Sequence, residues 1–412
     1  MNTSENILLA PLYNLDFEDF KKSFSNISVQ DRKKILKTIK SNKYSPLFLK
    51  YLSEKKMYEL FTKDEIDLFK AQNKRFQIQN LEIVKEVLII DKIFKKNNLN
   101  PVYLKGVGLL NEFEDISLRP SYDIDILFSQ EEVYEAYKLL KDNGYKEFRA
   151  TSKSENHLKD YAKKHHHFPE LFRKTNIMIE IHHRVTSPKD FDICPLSDQI
   201  LKNKIMFNFY GINIYKPKIN YLLTHLILHF SIQNLFKNQI RIFFDIYQIE
   251  KNYNIDWSEV FSSINNLKVK KAMLLSLGVL NHNHKLTNNF ELIKNKHSEI
   301  FPKSEIIQAC FHRTLRINAA NLPIKRLQVI SRTENYFDYL IAIFSRIFLS
   351  KDDIIFRSKL KKTNFLTLIN HSIINFTERV NFYFIDSIKL IFKKGELYKE
   401  LKSVRRIDKW LN

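Results

Sequence analysis

A short strand pattern that carries two acids, Tyr122–Phe128 with the sequence YDIDILF, sets the strongest limit on how this chain can fold. Side chains of an extended segment alternate between two faces, so Ile124 and Ile126 would enter a core while Asp123 and Asp125 share the other face. Two like charges so close are costly unless a positive group neutralises them. Because Mg²⁺ is the simplest partner for such hard oxygen ligands, the pattern predicts a core strand with a metal site on its outer face.

A second strand pattern, Asn176–His182, repeats this alternation. Its three isoleucines would face one side, while Met178, Glu180 and His182 face the other. If this strand lies beside the first, Glu180 joins the two aspartates and completes the three carboxylates that a two-metal phosphoryl-transfer site requires. Which strands pair is left open by the sequence.

A Lys-Gly turn precedes the acidic strand, in Leu104–Gly108. We predict a short strand over Pro101–Gly106 that breaks at the glycine just before a helix. A glycine lets backbone amides approach a phosphate, and a helix start adds positive potential. The turn is weak evidence alone, but it is informative when it stands before an acidic strand with Arg119 in between.

The first 98 residues are predicted to be helical. Ser28–Asp31 and Thr62–Glu65 both have the form of a capping box, in which a hydroxyl and a carboxylate satisfy the free amides of a helix start. Apolar residues after Thr62 recur at helical spacing and predict one long amphipathic helix that ends near Asn97 and Asn98.

Strand and helix patterns then alternate. A helix after Ser129 would end at Gly144, and a hairpin would join His166–Phe172 to Ile177–His183. From Lys218 onward the pattern is helical again. Two of these helices are predicted over Tyr221–Asn234 and Gln239–Asn252, and another would open within Ile255–Val260.

These patterns predict an α+β protein in which a small mixed-sheet core is flanked by N-terminal helices and a C-terminal helical domain. The predicted regions are a helical region over 1–98, an α/β core over 99–215, a helical domain that packs on the core over 216–300, and a basic helical region over 301–412.

The chain has a formal net charge of +21, and residues 301–412 hold 21 Lys and Arg against 10 Asp and Glu. Such a charge fits an anionic partner, whether nucleotide, nucleic acid or membrane surface. Solvated helix faces in a Lys-rich chain would explain it equally well, so both interpretations stay open.

Cys194 and Cys310 lie far apart and match no metal spacing, which fits a reducing compartment rather than a disulfide framework. We expect both to be inert. The first twenty residues lack the pattern of a signal peptide, and no apolar run approaches the ~20 residues of a membrane helix. The sequence therefore predicts a soluble, cytoplasmic protein.

The order of these parts resembles the nucleotidyltransferase superfamily typified by DNA polymerase beta and kanamycin nucleotidyltransferase. It is more closely similar to a bacterial family of uncharacterised nucleotidyltransferases, over roughly residues 60–260. The matching residues are Leu104-Lys105-Gly106, Arg119, Asp123-Ile124-Asp125, Gly144-Tyr145 and Glu180-Ile181-His182.

The resemblance implies that Asp123 and Asp125 bind the metal ions that bridge the phosphates of an NTP. Glu180 would be the third acid, which holds one metal and helps to activate the acceptor hydroxyl. By the same resemblance, Gly106 and its neighbours would hold the triphosphate.

One departure from the superfamily pattern concerns the phosphate turn. The superfamily usually has Gly-Ser or Gly-Gly at this turn, whereas this chain has Gly106-Val107. Since the hydroxyl is missing, Lys105 and Arg119 become the candidates for additional phosphate contacts.

The histidines suggest further metal ligands, because imidazole is a common one. His165 and His166 are better explained as a polar strand end or loop. For His167 and His182 both interpretations stay open, since each could border Glu180 and hydrogen-bond a carboxylate or a phosphate.

Three features of the later helices are explained mainly by packing. His225 and His229 have the i,i+4 spacing of a metal site but lack the glutamate of a His-Glu-x-x-His motif, so we expect packing or support of the site. Arg241 and Asp245 are predicted to form an ion pair on a helix surface. Aromatic residues near them are predicted to be core: Phe230, Phe236, Phe243 and Phe244.

The sequence thus predicts a Mg²⁺-dependent enzyme that moves a nucleotidyl group from an NTP such as ATP to an acceptor hydroxyl or phosphate. The acceptor, a small molecule, RNA or protein, cannot be read, because variable loops and helices form such contacts. Two alternatives stay open: a catalytically inactive protein whose basic helices bind nucleic acid or another anionic partner, and a toxin that modifies tRNA or protein.

Overall fold

A computed structural model of the protein describes residues 3–148, 155–174, 177–186, 194–237, 239–262, 264–282, 287, 289–315 and 395–411. Contacts divide the chain into two compact units: residues 1–146 together with 158–317, and residues 147–157 together with 318–412. The acidic strands and the helices that surround them lie in the first unit. The four regions predicted from the sequence stay a prediction.

Sixteen α-helices occur in the described residues. They are α1 (Thr3–Tyr13), α2 (Phe17–Ser25), α3 (Val29–Ser41), α4 (Ser45–Glu54), α5 (Lys63–Lys96), α6 (Lys105–Leu110), α7 (Val133–Asp142), α8 (Glu155–Lys164), α9 (Cys194–Lys202), α10 (Ile219–Leu228), α11 (Arg241–Asn252), α12 (Trp257–Ser262), α13 (Leu267–Leu280), α14 (Phe290–Lys296), α15 (Ser304–Leu315) and α16 (Gly395–Leu411). Among these same residues, no helix combines the length and the apolar composition that crossing a bilayer would need.

Seven strands form one mixed sheet in the order β3-β4-β5-β2-β1-β7-β6. They are β1 (Val102–Tyr103), β2 (Asp123–Leu127), β3 (Lys146–Glu147), β4 (Leu171–Phe172), β5 (Met178–His182), β6 (Lys204–Phe209) and β7 (Ile212–Pro217). β2 runs parallel to β5 and β1 runs parallel to β7, whereas β1–β2, β4–β5 and β6–β7 are antiparallel pairs. The predicted α+β fold class is confirmed.

The core lies on the apolar face of the two central strands. Ile124 and Ile126 of β2 and Ile179 and Ile181 of β5 are fully buried, in one cluster with residues of α5 and α7. Burial of such a side chain stabilises the fold by about 2 kcal/mol. Because alternate side chains point to opposite faces, this packing fixes the acids of both strands on the other face of the sheet.

The N-terminal helices begin where the capping patterns predict. The Ser28 hydroxyl accepts a hydrogen bond from the backbone N–H of Asp31 at the start of α3. A complete capping box between Thr62 and Glu65 starts α5, which ends at Lys96. The predictions of both helix starts and of the end of the long helix are confirmed.

Later elements also follow the sequence in outline. The hairpin prediction is confirmed, since β4 pairs antiparallel with β5. The helix predicted over Tyr221–Asn234 is α10 followed by a π-helical segment, His229–Gln233. Helix α11 begins two residues later than predicted. Most of the predicted basic region, residues 316–394, lies outside the described residues.

Two strand features differ from the predictions. The strand predicted over Pro101–Gly106 is shorter, because Lys105 and Gly106 already belong to α6. The β6–β7 hairpin was not predicted; its turn has Tyr210 and Gly211 at φ 48° and 91°. A tyrosine in the left-handed region is a weak turn signal, which explains why this hairpin is hard to find from sequence.

Candidate active site

The predicted acids come together because β2 and β5 lie side by side in parallel. Their register places Asp123 opposite Met178, Asp125 opposite Glu180, and Leu127 opposite His182. Directly paired residues of neighbouring strands point to the same face of a sheet. The predicted placement of Glu180 beside the aspartate strand is therefore confirmed.

Asp125 is the centre of a buried polar cluster. Its Oδ1 atom accepts a hydrogen bond from Lys105 Nζ at 3.0 Å and lies 2.9 Å from His182 Nε2. The same His182 nitrogen lies 3.2 Å from Glu180 Oε2. Asp125 and His182 are each only 1% exposed, so these contacts are protected from water. Protein cations thus neutralise the two carboxylates.

The shifts in pKa follow from this arrangement. Burial alone would raise the pKa of Asp125, but the Lys105 ammonium and the bond to His182 hold it well below its usual range. Burial alone would lower the pKa of His182, but its bonds to Asp125 and Glu180 raise it to about 8. Burial alone would also raise the pKa of Glu180, but its bond to His182 outweighs this effect and lowers the pKa. Asp125 and Glu180 are therefore charged at neutral pH, as metal ligands must be.

The cluster fits a metal ion. One ligand atom each of Asp125, Glu180 and His182 lies within 4.8 Å of the others. Asp125 Oδ2 and His182 Nδ1 are buried and have no hydrogen-bond partner among the described residues. A buried carboxylate oxygen that lacks a partner is a costly arrangement, which a bound cation would relieve. Asp125 and Glu180 could therefore hold a divalent metal, and His182 could join them as a ligand once its ring loses a proton.

Asp123 lies at the edge of this cluster. It shares the polar face with Asp125 and lines a cavity of about 130 Å³. Burial, then repulsion from Asp125, raises the pKa of Asp123. Within the described part of the chain, its carboxylate is not among the mutually close ligand atoms of the metal cluster. The two aspartates therefore share a face, but Asp125 alone contacts the polar cluster directly.

The Lys-Gly turn lies against the loop that precedes β2. Lys105 has a φ of 26°, a left-handed conformation that costs a non-glycine residue of order 1–3 kcal/mol. A Cβ on Gly106 would lie 2.9 Å from Ser121 Oγ and 3.7 Å from Arg119 Nη1. Only glycine lets α6 approach this loop so closely, and the approach brings Lys105 to Asp125. Gly106 also lines the cavity, whereas Val107 is buried in the core.

Arg119 is held in a buried ion pair. Its Nε and Nη2 atoms donate to the two carboxylate oxygens of Asp245 at 3.0 and 3.1 Å, and Nη1 donates to Ser121 Oγ at 3.3 Å. The prediction of a helix-surface pair between Arg241 and Asp245 is wrong. Asp245 is 4% exposed and pairs with Arg119, while Arg241 Nη1 donates to the Pro120 carbonyl. Helical spacing cannot reveal that a residue 126 positions away competes for Asp245.

The histidines of the 165–167 run border the cluster. The rings of His166 and His167 lie 5.2 and 5.4 Å from the ring of His182. His167 also lies in a second group of mutually close ligand atoms, with Glu170 and Glu180. His165 instead stacks on Tyr161, with ring centroids 4.0 Å apart. The metal or hydrogen-bonding role of these histidines stays a prediction.

His225 and His229 lie above the sheet on α10 and the segment that follows it. His229 lines the cavity, and its side chain contacts Asn234. His225 is 1% exposed, and neither ring nitrogen has a partner among the described residues. Burial, then the charge of Lys105, lowers the pKa of both. The predicted core aromatics nearby are confirmed, since all four are buried: Phe230, Phe236, Phe243 and Phe244.

Sequence reasoning missed several residues that form or support the site. Lys43 and Arg241 line the cavity from outside the sheet, Lys43 from the turn between α3 and α4 and Arg241 from the start of α11. Asn80 of α5 is fully buried, where it donates to the Arg119 carbonyl at 2.9 Å and accepts from the Ser121 N–H at 3.0 Å. A buried asparagine within an amphipathic helix was the one available signal, because such a residue needs partners.

A strand with two carboxylates, a third carboxylate from its parallel neighbour and a cationic turn beneath them are typical of enzymes that transfer phosphate-linked groups with divalent metals. The model of the uncharacterised nucleotidyltransferase family matches residues 28–284, more than half of the chain. The protein belongs to this family, whose general activity is nucleotidyl transfer. No curated protein and no solved structure gives a significant match to the chain.

Proposed function

We propose that the protein is a Mg²⁺-dependent nucleotidyltransferase that moves a nucleotidyl group from an NTP to an acceptor hydroxyl or phosphate and releases pyrophosphate. The observation that carries this proposal is the register of β2 and β5, which sets Glu180 beside Asp125 on the polar face. Among the described residues, Asp125 Oδ2 has no hydrogen-bond partner, which adds support because it leaves one ligand position open.

The three acids share one role in this proposal, and Glu180 has a second role. Asp123, Asp125 and Glu180 would hold Mg²⁺, which neutralises the phosphate charge. The acceptor oxygen attacks the α-phosphorus, and the bond from that phosphorus to the bridging oxygen breaks as pyrophosphate leaves. Glu180 helps to take up the proton of an acceptor hydroxyl. His182 keeps Asp125 and Glu180 oriented through its two contacts.

The turn residues would place the phosphates. Lys105 and Gly106 line the cavity, and Val107 anchors the turn in the core. Arg119 lines the same cavity, but Asp245 already neutralises its guanidinium. Its contribution to phosphate binding is therefore to hold the loop and α11 in place. His167 and His229 would support this arrangement from the cluster and cavity edges.

Label transfer tests the proposal. The protein is incubated with each α-labelled NTP, Mg²⁺ and a cell extract, and the labelled product is identified. Asp125→Asn and Glu180→Gln should each abolish transfer, since both remove a metal ligand. Asp67→Asn, an exposed change on α5, is the matched control and should transfer label normally. Absence of transfer and of NTP binding by the unaltered protein would refute the proposal.

The same experiment separates the non-catalytic alternative. A protein that binds nucleic acid or another polyanion through basic helices would hold it in a salt-sensitive manner. That binding would be unaffected by Asp125→Asn, and no label would be transferred.

A further inference from the structure

Two cationic side chains from outside the sheet line the cavity beside the acids. Lys43 lies in the turn between α3 and α4, and Arg241 is the first residue of α11. Both belong to the lining of the 130 Å³ cavity that also contains Asp123, Asp125 and Lys105. The cavity therefore presents two further cations close to the acids.

Lys43 is held at the cavity by a turn of the chain and by an aromatic ring. It adopts a φ of 59°, which turns the chain after α3. Its Nζ lies 3.5 Å from the centroid of the Tyr122 ring, a cation–π contact next to Asp123. Burial, then the charge of Arg241, lowers the pKa of Lys43 to about 8. The ammonium is thus directed into the cavity against an electrostatic cost.

Arg241 is fixed in a similar way. Its Nη1 donates to the Pro120 carbonyl at 2.6 Å, in the loop just before β2. Two of the acids that line the cavity are already paired with other cations, Asp125 with Lys105 and Asp245 with Arg119. Asp123 is then the acid that acts on both Lys43 and Arg241. The described residues that line the cavity include four cations and three acids, so a bound anion would offset the excess positive charge.

A polyphosphate matches this lining, because its oxygens can meet a metal held by the acids and also the cationic groups of Lys43 and Arg241. We infer that Lys43 and Arg241 bind the phosphate chain of the nucleotide substrate. The inference rests on the proposed function and extends the site to the N-terminal helices. Both cations lie within residues 28–284, the range that the family model matches.

Titration calorimetry tests the inference, with inorganic tripolyphosphate as the probe and EDTA in the buffer. Neither a metal ion nor a nucleotide base then contributes to binding. The protein should bind this probe, and Lys43→Met should weaken binding by about tenfold or more, the loss expected for one charge-assisted hydrogen bond. Arg241→Met should have a similar effect. Lys40→Met, an exposed change near the end of α3, should have none.

Lys43→Met is the decisive variant, because the Lys43 side chain makes no hydrogen bond to any of the described residues whose loss could unfold the protein. Arg241→Met is accompanied by a thermal unfolding curve, since it loses the Pro120 contact. NTP should compete with tripolyphosphate, whereas an RNA oligonucleotide with a 5′-hydroxyl should not. Equal affinity in Lys43→Met, no probe binding by the unaltered protein, or competition by the RNA alone would each overturn the inference.

These outcomes are separate from those of the label-transfer experiment. Transfer that depends on Asp125 but is unchanged in Lys43→Met, together with unchanged tripolyphosphate affinity, would refute only the role of Lys43 and Arg241. Lys43-dependent probe binding without transfer of any label would refute only the proposed catalysis.

Discussion

Arg119 and Asp245 form a doubly hydrogen-bonded ion pair between the loop before β2 and helix α11, with N–O distances of 3.0 and 3.1 Å. Both side chains are almost completely buried, at 3% and 5% exposed. The pair joins the two parts of the fold that carry the acids and Arg241. The geometry of the cavity thus depends on a contact between residues far apart in sequence.

Asp245→Asn should destabilise the protein by about 3–5 kcal/mol, because it leaves the Arg119 guanidinium buried without a counter-charge. Urea unfolding measures this change. The double variant Arg119→Met with Asp245→Leu should recover most of the lost stability, since it removes both charges together. If the double variant is less stable than Asp245→Asn, the two side chains stabilise the fold by more than the mutual neutralisation of their charges.

Asn80→Ala should destabilise the protein by about 2–4 kcal/mol, because it leaves the Arg119 carbonyl and the Ser121 N–H buried without their partner. Chemical unfolding measures the loss. Asn111→Ala is the matched control, since Asn111 also donates to a backbone carbonyl but is exposed. Similar losses in the two variants would mean that burial at Asn80 does not set the cost.

Gly106→Ala should lower both stability and nucleotide binding, because the new methyl group would lie 2.9 Å from Ser121 Oγ. Overpacking of this kind typically costs about 1–3 kcal/mol. Ser121→Gly in the same chain should relieve the clash and restore part of the loss. The measurements are the unfolding midpoint and the affinity for NTP, and an unchanged midpoint in Gly106→Ala would contradict the close approach.

Glu112 should give the protein a pH-dependent stability. Burial alone would raise its pKa, but hydrogen bonds from Lys216 and Asn252 hold it below its ordinary value of 4.5. A carboxyl whose pKa is lower in the folded state stabilises the fold above its unfolded pKa and loses that contribution as the pH falls through the folded pKa.

Glu112→Gln should therefore be less stable than the unaltered protein near neutral pH, and the difference should narrow as the pH falls from about 6 to about 3. Urea unfolding across this range measures the difference. Glu82→Gln, an exposed change on α5, should show no such trend. A difference that stays constant with pH would show that the charge of Glu112 is not what stabilises the fold.

Much of the fold follows from local pattern. The capping box of Thr62 and Glu65 set the start of α5, and the alternation in β2 set which residues are core, because both signals depend on neighbours in the chain. The β6–β7 hairpin was missed, since a Tyr-Gly turn is a weak local signal. The surface pair predicted for Arg241 and Asp245 was wrong, because helical spacing cannot reveal a buried competitor from another element.

For the site, the sequence by itself determined which acids face away from the core, since side-chain alternation is a property of a single strand. It also determined the Lys-Gly turn and the order of these parts, and that order carries the resemblance to nucleotidyltransferases. Tertiary structure alone decided that β2 and β5 are parallel neighbours, that Asp245 pairs with Arg119, and that Lys43 meets Arg241 in one cavity. Such contacts depend on how separate elements pack, and the packing energy is shared among residues whose distance in sequence carries no information about their distance in space.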